Sequence, residues 1–399
     1  MTASATARRD LVARYAPVFD EVGRDAVARE RERRLPYEEV AALRDAGFTR
    51  VTLPPRFGGD GATPSELFEL LAELARRDPN LTQLLRSHFS FADRILHSPP
   101  GSRRDRLLGM LADGSIHGNA TFERGPATVG SVTTVITRDA HGLRLDGRKF
   151  YSTGTLFADL VSVLAERDGE QVSVLVRTDA VGLERVDDWS GFGQRMTGSG
   201  TTVFSDVRID EDDLLPRDPD RLSHGGSFVQ LVLLAAAAGI GRAVRDDAVA
   251  YVGARTRGFS HASGATPRED PLVQEVVGDL AALAFAADAA LTAASATLDA
   301  SSTAITADDD ERARAAIGDV GRAVTAAQLV ILPAVLQAAT NLFEVGGASA
   351  LDQDRALDRH WRNARTLASH NPARYKARDL GAHLLTGAPV ASWWSVGEA

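Results

Sequence analysis

Two of the nine histidines stand where an imidazole could do chemistry. His370 is followed by Asn371 and Pro372 in RNARTLASHNP, and His88 lies in RSHFSF. An imidazole gains or loses a proton near neutral pH, so a positioned histidine can serve as acid, base or hydrogen-bond donor. Each also has a plain structural reading. A histidine before Asn-Pro can cap a helix or sit on the surface, and His88 can pack in a core between Phe89 and Phe91. Arg255, in GARTRGF, could grip a phosphate through its planar fork of donors, or sit on the surface as an ordinary cation. The glycine-rich WSGFGQRMTGSGT, Trp189 to Thr201, invites a phosphate-loop reading. It lacks the closing Gly-Lys-Ser/Thr and sits between strands, so a tight strand connection needing glycine conformations is expected instead. The chain has no cysteine. Disulfides, cysteine-based zinc sites and thiolate nucleophiles are thereby excluded, no metal site is expected, and a reducing cytoplasm is the expected location.

These groups need a scaffold, and the hydrophobic period changes twice along the chain. Residues 1–115 read as helices: PYEEVAALRD (Pro36 to Asp45) ends at Gly47, and SELFELLAELARR (Ser65 to Arg77) follows Pro64 with Ser65 as its cap. Between them, LPPRFGG (Leu53 to Gly59) is a loop that cannot be helical. Residues 116–215 alternate, as in SVTTVITR, LRLDGRKFY, LVSVLAE and QVSVLVR, with Asp-Gly, His-Gly and Asp-Gly-Glu turn signals. An antiparallel sheet or small barrel follows from this, and not a strand–helix dinucleotide unit. Residues 216–399 return to helix and are rich in Ala, which lets bundle helices approach closely. Val273 to Ala300 and Glu311 to Phe343 are the long segments, the second preceded by the N-terminal acidic signal Asp308-Asp309-Asp310.

A chain of 399 residues with 44% hydrophobic and 25% charged residues can bury a large core in two or three domains. Its net charge of -9 and its scattered basic residues argue against nucleic acid or an anionic membrane as partner. The opening MTASATARRD lacks the apolar core of a signal peptide. Gly225 to Gly241 carries no charge but is short, rich in Ala and Gly, and runs into Arg242, so a buried helix and not a membrane span is expected.

Five words occur in order across this helix–sheet–helix frame: LRDAGFTRVTLPPRFGG from Leu43, GNATFERG from Gly118, DGRKFYSTG from Asp146, GSGTTVFSDVRI from Gly198 and LFEVGGASAL from Leu342. Together they resemble the acyl-CoA dehydrogenase superfamily over nearly the whole chain. RSHFSF, FYSTGTLFAD, WSGFGQRMTGSGT and RNARTLASHNP are similar to its flavin-dependent monooxygenase branch, the dibenzothiophene monooxygenase-like enzymes. The resemblance implies an α+β fold with an N-terminal helical domain, a central antiparallel β-barrel and a C-terminal four-helix bundle, assembled as a homotetramer.

A dehydrogenase of this fold needs a carboxylate base facing flavin N5. The resemblance puts Asn371 at the usual base position, and the alternative helix, Phe228 to Arg242, offers no Asp or Glu before its end. It further implies that His370 and His88 face flavin and substrate, and that Ser152 hydrogen-bonds flavin N5. Asn119, Thr121, Phe150 and Asn371 would line the flavin, while Arg255 reaches its phosphate across a subunit contact, followed by Phe259 and Gln274. One departure is Leu367, where the dibenzothiophene enzymes carry a further His, so the substrate face differs.

The implied reaction is a two-component monooxygenation. Reduced FMN (FAD is the other form open) comes from a separate NAD(P)H-dependent flavin reductase, because no Gly-x-Gly-x-x-Gly opens a strand–helix unit here. With O2 it forms a C4a-peroxyflavin that oxygenates S, N or aromatic C of a small molecule. The rival readings are an acyl-CoA dehydrogenase with an unrecognised base and a catalytically silent binding relative.

Overall fold

The computed structural model describes residues 2–125, 131–215, 221–307 and 309–391. Seven helices come first: α1 (Thr2–Gly23), α2 (Ala26–Glu32), α3 (Tyr37–Asp45), α4 (Pro64–Arg77), α5 (Pro79–Leu84), α6 (Arg86–Leu96) and α7 (Ser102–Ala112). In α4 the apolar side chains Leu67, Phe68, Leu70, Leu71 and Leu74 fall on the inward side and are fully buried. Its cap is Thr63 and not Ser65. The Thr63 hydroxyl accepts from Glu66 N, and the Glu66 carboxylate accepts from Thr63 N at 2.9 Å, a reciprocal capping box with Pro64 in the first turn. Ser65 is instead drawn to Asp299, which accepts from its hydroxyl at 2.6 Å and its N–H at 2.9 Å. The Pro/Gly loop at 53–59 holds a single 3₁₀ turn, Pro55–Phe57.

Eight strands follow: β1 (His117–Ala120), β2 (Val135–Asp139), β3 (Gly142–Lys149), β4 (Leu160–Arg167), β5 (Glu170–Arg177), β6 (Leu183–Val186), β7 (Thr201–Ile209) and β8 (Leu214–Leu215). All eight form one sheet, seven of them in the order β6-β7-β3-β2-β4-β5-β8 and β1 off that path beside β4. The expectation of a wholly antiparallel sheet needs correcting, because β1 pairs with β4 in parallel and β2 touches β4 in parallel at Val135 and Glu166. Of the turn signals, Asp168 and Gly169 both adopt left-handed φ (55° and 85°), as a two-residue hairpin between β4 and β5 requires. Asp146-Gly147 makes no turn. It is an irregularity inside β3, where the register to β7 shifts between Leu145 and Gly147.

The chain ends in α8 (Gly225–Ala254), α9 (Pro271–Thr306), α10 (Asp310–Asn341), α11 (Asp358–Ala368) and α12 (Ala373–Thr386). Asp309 caps α10 by accepting from Arg312 N at 3.0 Å; Asp308 lies outside the described residues. The uncharged stretch of α8 is explained by close packing. A Cβ on Gly239 would stand 2.4 Å from Ala75 Cβ, so α4 and α8 meet almost backbone to backbone. Three helices, α8, α9 and α10 with its extension to Val345, are long and apolar enough by composition to cross a membrane. In α8, 83% of the most apolar stretch is buried inside the protein, whereas in α9 only 22% is. The apolarity of α8 thus serves this chain's own core, while that of α9 faces outward.

Candidate active site

Two loops of the sheet, 150–155 and 193–200, are zipped together: Ser152 N–H donates to Gly200 O at 3.1 Å and Gly154 N–H to Thr197 O at 2.9 Å. A side-chain bond reinforces the seam, Thr153 Oγ1 to Ser199 Oγ at 2.8 Å, and within the second loop Thr197 Oγ1 donates to Gln194 O at 2.8 Å. Each loop holds a non-glycine residue in the left-handed region, Tyr151 at φ 58° and Gln194 at φ 52°. Such conformations persist only where the surroundings impose them, and they gather at functional sites. Gly154 (φ 80°) brings this seam onto the N-terminal helices, since a Cβ there would lie 2.2 Å from Leu84 O at the end of α5. Asn363 Oδ1 accepts from Gln194 N at 2.5 Å and ties the second loop to α11.

Arg86, the first residue of α6, and His370, just beyond α11, close the ring. Arg86 Nη1 lies 2.8 Å from His370 Nε2. A guanidinium has donors only, so Nε2 must accept and the ring proton resides on Nδ1. His370 is accessible to solvent, yet protein surrounds it on most sides, the position of a side chain lining a recess. Burial first, and then the Arg86 charge, pull its pKa down to about 3. His370 is therefore a neutral imidazole across the physiological range. This corrects the expectation that it exchanges a proton near neutral pH; its available chemistry is hydrogen bonding.

The expectation for His88 is corrected too. It is 0% exposed, its Nε2 donates to Thr49 O at 2.7 Å, and its Nδ1 accepts from His117 N at 3.3 Å. Both ring nitrogens are occupied by main chain, and burial lowers its pKa, so it holds α6 to β1 and presents nothing to a reactant. Asn371 is buried, donating to Gln230 Oε1 on α8 at 3.4 Å, while its carbonyl accepts from Gln328 at 3.1 Å. An amide held by amides cannot serve as a base. Asn119 and Thr121 bond each other at 2.6 Å at the end of β1, and Asn119 N–H donates to Thr155 Oγ1 at 3.1 Å, which places them beside the first loop.

Phe150 is buried under Arg124. It borders a cavity of about 420 Å³ lined also by Glu123, Arg148, Lys149 and Asp188. Arg255, Phe259 and Gln274 gather at the other end of α8: Arg255 donates to Val345 O at 2.5 Å, Phe259 is 58% exposed, and Gln274 donates to Arg268 O at 2.9 Å. Among the described residues none of the three bonds the Ser152–His370 cluster. Asp93, His97 and His224 form a separate titratable group, with Asp93 Oδ2 3.1 Å from His224 Nε2 and Ser301 Oγ 2.9 Å from His224 Nδ1. Its hydrogen bonds join α6 to α8 and α9.

A planar heterocycle rimmed with N–H and C=O groups would need polar partners that the protein itself leaves unused. Among the described residues, the Ser152 hydroxyl, 1% exposed, has no hydrogen-bond partner, and neither amide atom of Gln194 nor Gln83 Oε1 on α5 has one. All three belong to the segments that meet here, so a polar ligand edge seated among them would supply the partners they lack. These residues fit a flavin ring. Sequence reasoning missed Arg86, Gln194 and Gln83. The signal for Arg86 was present, because it shares the buried stripe of α6 with Phe89, three residues on.

Two family models match, the acyl-CoA dehydrogenase N-terminal domain over residues 3–115 and its C-terminal domain over residues 231–375. The chain is 30% identical over 367 residues to a dibenzothiophene monooxygenase of Mycolicibacterium goodii, covering 87% of each chain. Among solved structures, FMN-bound TdsC from Paenibacillus sp. A11-2 superposes with a TM-score of 0.82 at 25% identity, over 94% of this chain and 97% of that one. The methanesulfinate monooxygenase MsuC from Pseudomonas fluorescens does so with a TM-score of 0.83 at 27% identity, over 98% of both.

Proposed function

The chain belongs to the acyl-CoA dehydrogenase superfamily, in its flavin-dependent monooxygenase branch, and from that premise we propose how its residues divide the work. It is an FMN-dependent monooxygenase acting on a small molecule. Bound reduced FMN supplies the electrons with which O2 is split between substrate and water. With reduced FMN bound, the Ser152 hydroxyl would accept from flavin N5–H, and Gln194, Asn119 and Phe150 would bound the ring. His370, whose tautomer Arg86 fixes, would stand as a neutral hydrogen-bonding group on the substrate side of the ring. Arg255, Phe259 and Gln274, remote from Ser152 in contact terms, serve a partner subunit's flavin in a homotetramer. The outward apolar face of α9, with Leu272 and Phe285 exposed at 69% and 74%, supports such assembly. A separate NAD(P)H-dependent flavin reductase delivers the electrons.

The observation that carries this reading is Asn371. The position where a dehydrogenase keeps its base holds an amide bonded to Gln230, so proton abstraction beside a thioester has no agent there. The test is to mix reduced FMN with the protein under anaerobic conditions and then admit oxygen. The protein should slow hydrogen peroxide release relative to free reduced FMN, and should neither oxidise NADH alone nor reduce a dye with butyryl-CoA. Dye reduction with butyryl-CoA, or peroxide release as fast as from free flavin, would overturn the reading.

A further inference from the structure

The charges around the site are one-sided. Two arginines are fully enclosed among the described residues, Arg29 at 1% and Arg86 at 7% exposure. Arg29 is neutralised by two carboxylates, Glu39 at 2.8 Å and Asp78 at 3.1 Å. The half-buried Arg242 likewise has Glu73 at 2.6 Å and Asp288 at 2.8 Å. Arg86 has no acidic partner among the described residues; its hydrogen bond is to the neutral ring of His370 at 2.8 Å. Burial lowers its pKa only to about 10, so it stays charged. A buried cation without a counter-charge is costly, and this fold elsewhere avoids that cost with carboxylates. Nη1 is committed to His370, which leaves Nη2 and Nε, the edge that grips a planar or pyramidal oxyanion with two parallel bonds. An enclosed guanidinium suits a small, desolvated group. The exposed cations Arg124 and Arg148 around the cavity beside Phe150 are better placed for a solvated phosphate.

Resting on the monooxygenase reading above, we propose that Arg86 is a specificity-determining residue that anchors an acidic group, a carboxylate or sulfinate, on the substrate. Its counter-charge thus arrives with each substrate molecule, and His370, held by the same guanidinium, is aligned to the reacting atom next to that group. Neutral aromatic substrates would leave Arg86 buried and unpaired and are disfavoured.

The FMN-loaded protein should be titrated with benzenesulfinate and benzoate, and with the neutral near-isosteres methyl phenyl sulfone and benzamide, following the visible spectrum of FMN. The anions are expected to bind at least about tenfold tighter than their neutral partners, the tighter of the two naming the preferred acid. Arg86→Gln should weaken the anions by about thirtyfold or more, leave neutral ligands and FMN within about twofold, and be partly rescued in Arg86→Lys. Equal binding of anions and neutral ligands by wild-type protein would overturn the proposal without needing any variant to fold. Loss of FMN affinity in Arg86→Gln with anion selectivity retained would assign Arg86 to the cofactor and overturn it as well. If wild-type protein bound no FMN, the monooxygenase reading would fall and this proposal with it; FMN binding without charge selectivity would sink the proposal alone.

Discussion

Replacing Ser152 by Ala should change stability and FMN affinity in opposite directions. The Ser152 hydroxyl is 1% exposed and has no partner among the described residues, while its main-chain N–H is already held by Gly200 O. An unsatisfied buried hydroxyl costs about 1–3 kcal/mol, so deleting it should return roughly 1 kcal/mol after the loss of one packed atom. In a chain of this size that corresponds to a melting temperature higher by about 1–2 °C. With FMN bound, the same hydroxyl contributes a hydrogen bond worth about 0.5–1.5 kcal/mol net, so its removal should weaken FMN by about 2- to 12-fold. Oxygenated product per flavin oxidised should fall alongside. Thermal melts of flavin-free protein at one fixed concentration, paired with a fluorescence titration of FMN, read both signs on one sample. A lowered melting temperature with unchanged FMN affinity would refute the reasoning, since it would mean that the hydroxyl has a structural partner and no ligand to meet.

His370→Ala should cut product by about a hundredfold or more and raise peroxide, with FMN still bound. Because Arg86 Nη1 then loses its acceptor, stability should drop by about 1–3 kcal/mol as well. Unchanged coupling with lower stability would mark His370 as purely structural. Acid should destabilise the fold before the carboxylates titrate. His88, His117 and His360 are buried with lowered pKa values, so the unfolded chain, whose histidines titrate near 6.5, takes up protons that the folded chain refuses. Their stabilising effect is complete above about pH 7 and is lost as pH falls from 6.5 toward the folded values. For His360, lowered to about 4, that is roughly 2 kcal/mol between pH 7.5 and 5. His97, raised by Asp93 against the effect of burial, opposes the trend. A urea midpoint that rises between pH 7.5 and 5.5 would contradict this. Gly154→Ala should destabilise by about 2 kcal/mol or more, because φ is 80° and the new Cβ meets Leu84 O. An unaltered melting temperature and FMN affinity would show that the seam can shift freely.

The helix–sheet–helix order was legible because it is written in period: helical spacing in α3 and α4, alternation in β4 and β5, and Ala-rich runs in α9 and α10. The Asp168-Gly169 hairpin was legible because only a few residues tolerate two successive left-handed conformations. Asp146-Gly147 carries the same dipeptide but sits mid-strand, where the pairing of β3 with β7 overrides the local signal and turns it into a bulge. The parallel pairing of β1 with β4 was illegible, since strand partners 43 residues apart leave no local trace (His117 with Leu160). The cap of α4 went to Thr63 because Glu66 completes its box, while Ser65, a residue that caps equally well, is claimed by Asp299 on a helix distant in sequence. In the site, Ser152 could be read from its word, but His88 could not be told from a catalytic histidine. What decides it is the carbonyl of Thr49 and the N–H of His117, neither of which has a side-chain signature.

The contact between Arg86 and His370, 284 residues apart, bears on why this site fits oxygen transfer better than proton abstraction. A base for a weakly acidic C–H needs a high pKa, which a dry, cation-free pocket provides for a carboxylate. Arg86 denies that condition. A carboxylate at position 371 would stand one residue from a histidine bonded to a guanidinium, and the cation would depress its pKa and blunt its basicity. Burial, and after it the same cation, keeps His370 neutral, with its proton on Nδ1. Restoring an acid at Asn371 would therefore not recreate a dehydrogenase while Arg86 remains, because the electrostatic field, and not the missing carboxylate alone, separates the two chemistries.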